Sequence, residues 1–277
     1  MKYELTDQTI RYDGRTLYRI KALKDFSDVA KDELGGFVES YDNLSQRNNC
    51  WIYSDAKVYD DAKVYDNAEV FGDTEVYGNA KVFGNAEVFD DAKVYNNAKV
   101  YNNAKVFDDS KVYDKAEVFG NAQIYGEAEV YGEAEVFGNA EVCGMAEVYN
   151  QAQIYGSAEV YGEAQIYGRA EVYDRAKVFD NAEIYYEAKI CANTIVCSDI
   201  KIPNTNDILF INLARYITFY RCKDDIRCTI GCQHAITIEE FKERIYKNGT
   251  YTKVTLPKHR KDYLLAIEFA KKYFRVD

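Results

Sequence analysis

The stretch Ala56-Lys57-Val58-Tyr59-Asp60-Asp61-Ala62-Lys63-Val64-Tyr65-Asp66-Asn67-Ala68-Glu69-Val70-Phe71-Gly72-Asp73 is one six-residue phrase written three times. Each copy runs small, charged, aliphatic, aromatic, and closes on a pair such as Asp-Asp, Asp-Asn or Gly-Asp. Side chains of a strand alternate between its faces, so Ala56 and Val58 share one face and Lys57 and Tyr59 the other. The closing pair consists of residues that accept positive φ or hydrogen-bond their own backbone, so every copy ends in a turn. A short strand and a tight corner, repeated, coil into a parallel β-helix.

Outward from this stretch the phrase continues without insertion. An aliphatic residue falls at every sixth position from Ile52 to Val196, 25 hexads in all, and a small residue stands two positions before almost every one. A fixed short period is the sign of a solenoid. Sampling every eighteenth residue supports three hexads per coil: Tyr59, Tyr77, Tyr95, Tyr113, Tyr131, Tyr149, Tyr167 and Tyr185 are all tyrosine, whereas the rows from Tyr65 and Phe71 mix Tyr, Phe and Cys. Eight coils at a strand spacing of about 4.8 Å give a rod of roughly 40 Å.

The pattern aliphatic-x-x-x-small-x resembles the hexapeptide repeat of the left-handed parallel β-helix proteins. The resemblance covers more than half the chain and implies a left-handed triangular prism. The expected fold is mainly β: an N-terminal β cap (1-50), a left-handed parallel β-helix of about eight coils (51-202), and a small C-terminal α+β domain (203-277).

In the cap, Thr9-Ile10-Arg11-Tyr12, Asp13-Gly14 and Leu17-Tyr18-Arg19-Ile20 read as a hairpin with a primed turn. Leu34-Gly35-Gly36-Phe37-Val38-Glu39 then runs toward the first coil. Together with Asn43-Leu44-Ser45 and Cys50-Trp51-Ile52, these segments resemble the cap of uncharacterised hexapeptide-repeat proteins of bacteria and their phages, some of which carry an acyltransferase label on repeat similarity alone. Beyond the rod, 216-220 and 226-230 read as a hairpin around Lys223-Asp224-Asp225. Thr237-Ile238-Glu239-Glu240 is a capping box opening a helix that stops at Asn248-Gly249, and a second helix from Leu256-Pro257 carries an apolar stripe of Tyr263, Ile267, Ala270 and Phe274.

Charge is unevenly placed along the chain. The net value is −11, but residues 52-199 hold 28 acidic against 12 basic residues and 203-277 hold 9 against 14. The rod would repel free nucleic acid. No apolar run approaches membrane-spanning length, and Met1-Lys2-Tyr3-Glu4 does not open a signal peptide. Seven cysteines without a dense framework point to a reducing cytoplasm.

Lysine dominates the position before the aliphatic in the first half of the rod, but from Glu117 to Glu171 it is absent there. Glu117, Glu129, Glu135, Glu141, Glu147, Glu159 and Glu171, with Glu127, Glu133 and Glu163 at corners, make an acidic belt beside aromatic rows. The belt is read as a docking surface for a protein with a basic surface, since aromatics beside carboxylates suit Arg and Lys. Solvation of the repeat is the plainer reading of the same residues. The tyrosine row from Tyr59 to Tyr185 is the candidate face for self-association into a homo-oligomer, although cross-strand stacking accounts for some of these rings.

Hexapeptide acyltransferases place a histidine on the prism, and carbonic anhydrases of this fold use three. This prism has none; His234 and His259 both lie in the tail. Cys222, Cys228, Cys232 and His234 lack the knuckle spacing of structural zinc sites and read as reduced thiols. The expectation is a non-enzymatic binding rod without metal or cofactor, of the kind a phage would encode to inhibit a host defence or nucleic-acid-processing protein. The alternatives are an acyltransferase-like enzyme with its site outside the regular coils, and a purely structural spacer.

Overall fold

The structure is a computed structural model that describes residues 1-213, 216-222, 225-230, 233-246 and 257-276. Strands β1 (Tyr3–Tyr12) and β2 (Arg15–Ala22) form the expected hairpin, and both Asp13 and Gly14 have positive φ, as a primed two-residue turn requires. β3 (Leu34–Val38) pairs antiparallel with β2 on one side and parallel with Lys57–Val58 on the other. The cap therefore supplies the sheet edge on which the solenoid grows.

From Trp51 to Ile202 the chain makes 26 two-residue strands, each paired in parallel with the strand one coil away. They stack into three faces, one of which continues directly from the cap. The result is a parallel β-solenoid of about nine turns, one more than the sequence reading.

The difference lies at both ends. At the start, Val38 pairs with Val58 and Leu44 with Val64, so coiling begins inside the cap. There the step from Leu44 to Ile52 is eight residues, which hid it from a six-residue count. At the finish, Lys201–Ile202 is a further rung, with Ile200 buried in the position that alanine usually fills.

The alternation read from the sequence holds throughout. The valines, isoleucines and alanines from Ala56 to Ile190 point inward and are almost completely buried. Thr74 and Ser110 replace alanine without leaving an unpaired hydroxyl, because Thr74 Oγ1 donates to the Phe71 carbonyl and Ser110 Oγ to that of Phe107, both at 2.7 Å.

The first residue of each corner pair has positive φ, mostly Gly, Asp or Asn but also Ser54, Tyr186, Ala192 and Ser198 near the ends of the rod. Glycine relieves the backbone, and it also fits where coils touch: a Cβ on Gly138 would lie 2.9 Å from the Gly156 carbonyl oxygen. Aspartate adds a bond instead, as Asp108 Oδ2 accepts the Gly126 N–H of the next coil at 3.0 Å and Asp174 that of Ala192 at 3.0 Å.

Both ends of the core are plugged. At the first coil Tyr3 and Phe26 pack edge-on against Trp51, and Lys2 is buried with its ammonium donating to the Cys50 carbonyl at 2.6 Å. At the last coil Tyr220 enters the solenoid core and donates to the Ile195 carbonyl at 2.7 Å.

Tyr220 belongs to a four-stranded antiparallel sheet of Ile208–Asn212, Tyr216–Arg221, Ile226–Ile230 and Gln233–Thr237. The middle two are the expected hairpin; residues 223 and 224 of its turn lie outside the described residues. The capping box is present, with Glu240 N–H donating to Thr237 Oγ1 and Thr237 N–H to Glu240 Oε2 at the start of α1 (Ile238–Tyr246). The expected stop at Asn248-Gly249 lies outside the described residues. α2 (Pro257–Phe274) buries the stripe of Tyr263, Ile267, Ala270 and Phe274 against Phe241, Ile245 and the sheet.

Candidate protein-binding surface

The outward residues form ladders because identical positions recur on every coil. In the all-tyrosine row, neighbouring rings lie 4.8 to 5.2 Å apart and within 8° of parallel from Tyr59 to Tyr185. Most of these rings are half-buried. Their hydroxyls are also occupied wherever glutamate stands sixteen residues on: Tyr59 donates to Glu75, Tyr113 to Glu129, Tyr131 to Glu147 and Tyr167 to Glu183. The same contact joins Tyr101 to Glu117, Tyr125 to Glu141 and Tyr155 to Glu171 on the other faces. Burial, followed by the adjacent carboxylate, pushes the Tyr101 phenol up to about 12.

The seven belt glutamates fall on all three faces, and their surroundings divide them. Glu117, Glu129, Glu159 and Glu171 each meet a lysine one coil away: Lys99 at 2.6 Å, Lys111 at 2.8 Å, Lys177 at 2.6 Å and Lys189 at 2.7 Å. Burial alone would raise the Glu129 carboxyl, but the Lys111 ammonium and the Tyr113 phenol hold it below the usual carboxylate range. Glu135, Glu141 and Glu147 have no lysine at either neighbouring rung. Their ladder neighbours are Glu117 and Gln153, Gln123 and Glu159, and Glu129 and Gln165. The belt thus narrows to one uncompensated ring, a single carboxylate on each face of one coil.

The corners carry a second acidic feature, of which the sequence reading singled out only Glu127 and Glu163. One corner is rich in asparagine, and its Asn67, Asn85, Asn103, Asn121 and Asn139 side chains bond in a continuous ladder at 3.0 to 3.2 Å. A second is mixed, with Lys115 paired to Glu133 and Arg169 to Glu187. The third reads Asp55, Asp73, Asp91, Asp109, Glu127, Met145, Glu163, Asn181 and Asp199 along its outer positions, with Asp90, Asp108 and Asp180 beside them. No lysine or arginine occupies this corner. Among the described residues Asp73, Asp91, Asp109 and Glu127 have no ion-pair partner, and all four are exposed. The eighteen-residue sampling that revealed the tyrosines would have found this row, had it been started at Asp55.

Among the described residues no group of three His, Cys, Asp or Glu side chains could hold a metal; Cys232 lies outside them. Cys228 is buried, and burial pushes its thiol up to about 12. His234 sits edge-on to Phe179, with ring centroids 5.4 Å apart. Cys197 replaces an outward aromatic where the tail sheet covers the rod, 3.9 Å from Thr229 Oγ1. The groove at this junction, about 740 Å³, is lined by Glu159, Arg175, Lys177 and Tyr216 among others, with no histidine or cysteine in its described wall. Among the described residues no helix is long and apolar enough to cross a membrane.

No family model matches the chain, and no curated protein matches it.

Proposed function

We propose that this chain is a non-enzymatic protein-binding rod that lays its acidic side on a basic surface of a protein partner. The observation that carries the reading is the contrast between two corners of equivalent geometry. Asparagines bond along one, while the other stacks Asp73, Asp91, Asp109 and Glu127 one coil apart with no counter-ion among the described residues. Like charges on adjacent strands cost stability, so folding alone favours asparagine at both. The acidic corner and the ring of Glu135, Glu141 and Glu147 fit a groove rich in Lys and Arg, and cytoplasmic inhibition of a host nucleic-acid-processing or defence protein by a phage product is the setting that suits them. The left-handed winding of the hexapeptide family belongs to the same reading.

The test uses the full chain as bait in a bacterial lysate, with mass spectrometry of what it retains. Two variants, Asp91→Lys with Asp109→Lys, and Glu135→Lys with Glu141→Lys and Glu147→Lys, should each lose the partner. A partner held equally by both would sink the reading, and recovery of nothing but the chain itself favours the spacer. The acyltransferase alternative has its own test, acyl-CoA binding that His234→Ala abolishes.

A further inference from the structure

The asparagine ladder ends where the tail begins. Beyond Asn139 the outer positions of that corner are Ser157, Arg175 and Asn193, and all three line the groove of about 740 Å³ between the last coils and the tail sheet. A volume of this order suits a small organic molecule. Asn193 stands on the last coil at this corner. In the coils below it, the backbone N–H of the equivalent residue donates to a carbonyl of the coil above: Asn139 to Gly156 at 2.7 Å, Ser157 to Asp174 at 2.6 Å and Arg175 to Ala192 at 2.9 Å. Elsewhere on the last coil the chain beyond the rod takes over this task, since Thr205 Oγ1 accepts the Lys189 N–H at 3.0 Å and Thr218 Oγ1 the Ile195 N–H at 3.4 Å. The Asn193 N–H has no acceptor among the described residues. By the geometry of its equivalents it points along the rod axis, off the end of the corner and toward the groove.

The charge of the groove is the reverse of the rod's. Residues 52-199 hold 28 acidic against 12 basic residues, yet the charged side chains of the described wall are Arg175 and Lys177 against Glu159. Lys177 and Glu159 are held to each other at 2.6 Å. The Arg175 guanidinium has no ion-pair or hydrogen-bond partner among the described residues, whereas Arg169, on the neighbouring corner, has Gln151 and Glu187. One positive charge is therefore left over beside an unused backbone donor. The apolar part of the wall is Ile195, Leu213 and Tyr216. Tyr216 is 48% exposed, with its ring stacked 5.5 Å from that of Phe210.

We infer that this groove is a binding site for a small organic monocarboxylate with a flat or branched apolar body. The carboxylate takes the Arg175 fork, which matches it in charge and shape, and accepts the Asn193 N–H. The body lies against Tyr216, Ile195 and Leu213. One negative charge answers the one left over, whereas a phosphate monoester brings nearly two at neutral pH and sets the excess against Glu159. The site lies on a different corner from Asp91 and Asp109, so it is independent of the acidic surface proposed above.

Amide NMR of the isotope-labelled full chain tests this. The chain is titrated with phenylacetate, benzoate and isovalerate, with the primary amide of each acid and inorganic phosphate as comparisons. At least one carboxylate should bind with a micromolar to low-millimolar Kd and move the Asn193 amide resonance. Its primary amide should bind at least about tenfold more weakly, and Arg175→Gln should weaken the carboxylate by as much. Arg175→Lys, which keeps the charge and loses the fork, should fall between. Arg169→Gln, on the neighbouring corner, should bind as the parent does. Arg175 is exposed, and its corner accepts serine and asparagine on the coils either side, so these variants keep the fold, which an otherwise unchanged amide spectrum checks. Silence of the Asn193 resonance to all three acids at millimolar concentration, amides that bind as well as the acids, tighter binding of phosphate, or indifference to Arg175→Gln would each overturn the inference.

Discussion

Tyr113 donates its phenolic proton to Glu129 at 2.8 Å, sixteen residues on, while Lys111 reaches the other oxygen of the same carboxylate, also at 2.8 Å. The carboxylate thereby ties an aromatic and a cation of one coil to the next. Hydrogen bonds of this sort contribute about 1 kcal/mol. Tyr113→Phe should cost about that much, since the stacked ring is kept. Glu129→Gln should cost more than Lys111→Met, because the glutamine weakens both contacts. A double-mutant cycle in urea between positions 113 and 129 should give a coupling of at least about 0.5 kcal/mol. Additivity would show that the contact is incidental.

The same contacts set the acid response. Glu75, Glu117, Glu129 and Glu171 are held below the ordinary glutamate value, burial opposing the shift and lysine and tyrosine donors imposing it in the first three, and the Lys189 bond leading in Glu171. A group with a depressed folded value stabilises fully above its unfolded value of about 4.5 and loses that contribution as pH falls through the folded one. Glu69 runs the other way, since burial raises it, but it is one group against four. The urea midpoint should therefore fall on acidification below about pH 4.5, and Lys111→Met should flatten that fall.

The tyrosines act at the opposite end of the scale. Tyr95, Tyr101 and Tyr167 are raised to about 12, chiefly by burial, with Glu117 and Glu183 adding to the effect at Tyr101 and Tyr167. A raised folded value stabilises fully below the unfolded value of about 10 and is lost as pH climbs through the folded one. Tyrosinate absorbance should appear late, above about pH 10, and rise together with loss of the far-ultraviolet strand signal. Free titration at pH 10 with the rod intact would show that the rows are open to water.

Much of this was legible because the repeat imposes its geometry. Val58 and Ala56 had to face inward once Tyr59 and Lys57 faced out, and the eighteen-residue period alone puts Tyr113 one coil from Tyr131. What stayed hidden depended on neighbours across coils. Read along the chain, Glu129 and Glu135 are the same residue in the same phrase; only the rung below, Lys111 in one case and Glu117 in the other, separates a paired carboxylate from an uncompensated one. The coil through Val38 and Leu44 was hidden by its eight-residue step. Strands Ile208–Asn212 and Gln233–Thr237 were missed because neither alternates cleanly. The exposed Leu265, Phe269 and Tyr273 of α2 escaped notice because the buried stripe already satisfied the helical period.

Core substitutions should rank by the room each inward position has. Ile154 is fully buried on one face of the prism, so Ile154→Ala should cost about 2 to 5 kcal/mol. Ala134 is also fully buried, and Ala134→Leu should cost about 1 to 3 kcal/mol through overpacking. Equilibrium denaturation checks both. An enlarged residue accepted at 134 without loss would mean that the prism can swell, contrary to the parallel register kept on all three faces.

The acidic corner gives the prediction in which stability and function part company. Asp91 and Asp109 are one coil apart, about 4.8 Å, well within the Debye length of about 10 Å at 0.1 M salt. Replacing both by asparagine removes like-charge repulsion and reproduces the side-chain ladder that Asn85 and Asn103 form at 3.1 Å on the asparagine corner. Asp91→Asn with Asp109→Asn should therefore raise the unfolding free energy by a few tenths to about 1 kcal/mol at low salt, and added salt should shrink the gain. If the corner exists to meet a basic partner, the same variant binds that partner more weakly although it is more stable. A variant that is more stable and binds equally well would leave the corner without a purpose in binding; one that is less stable would show that these carboxylates serve the fold.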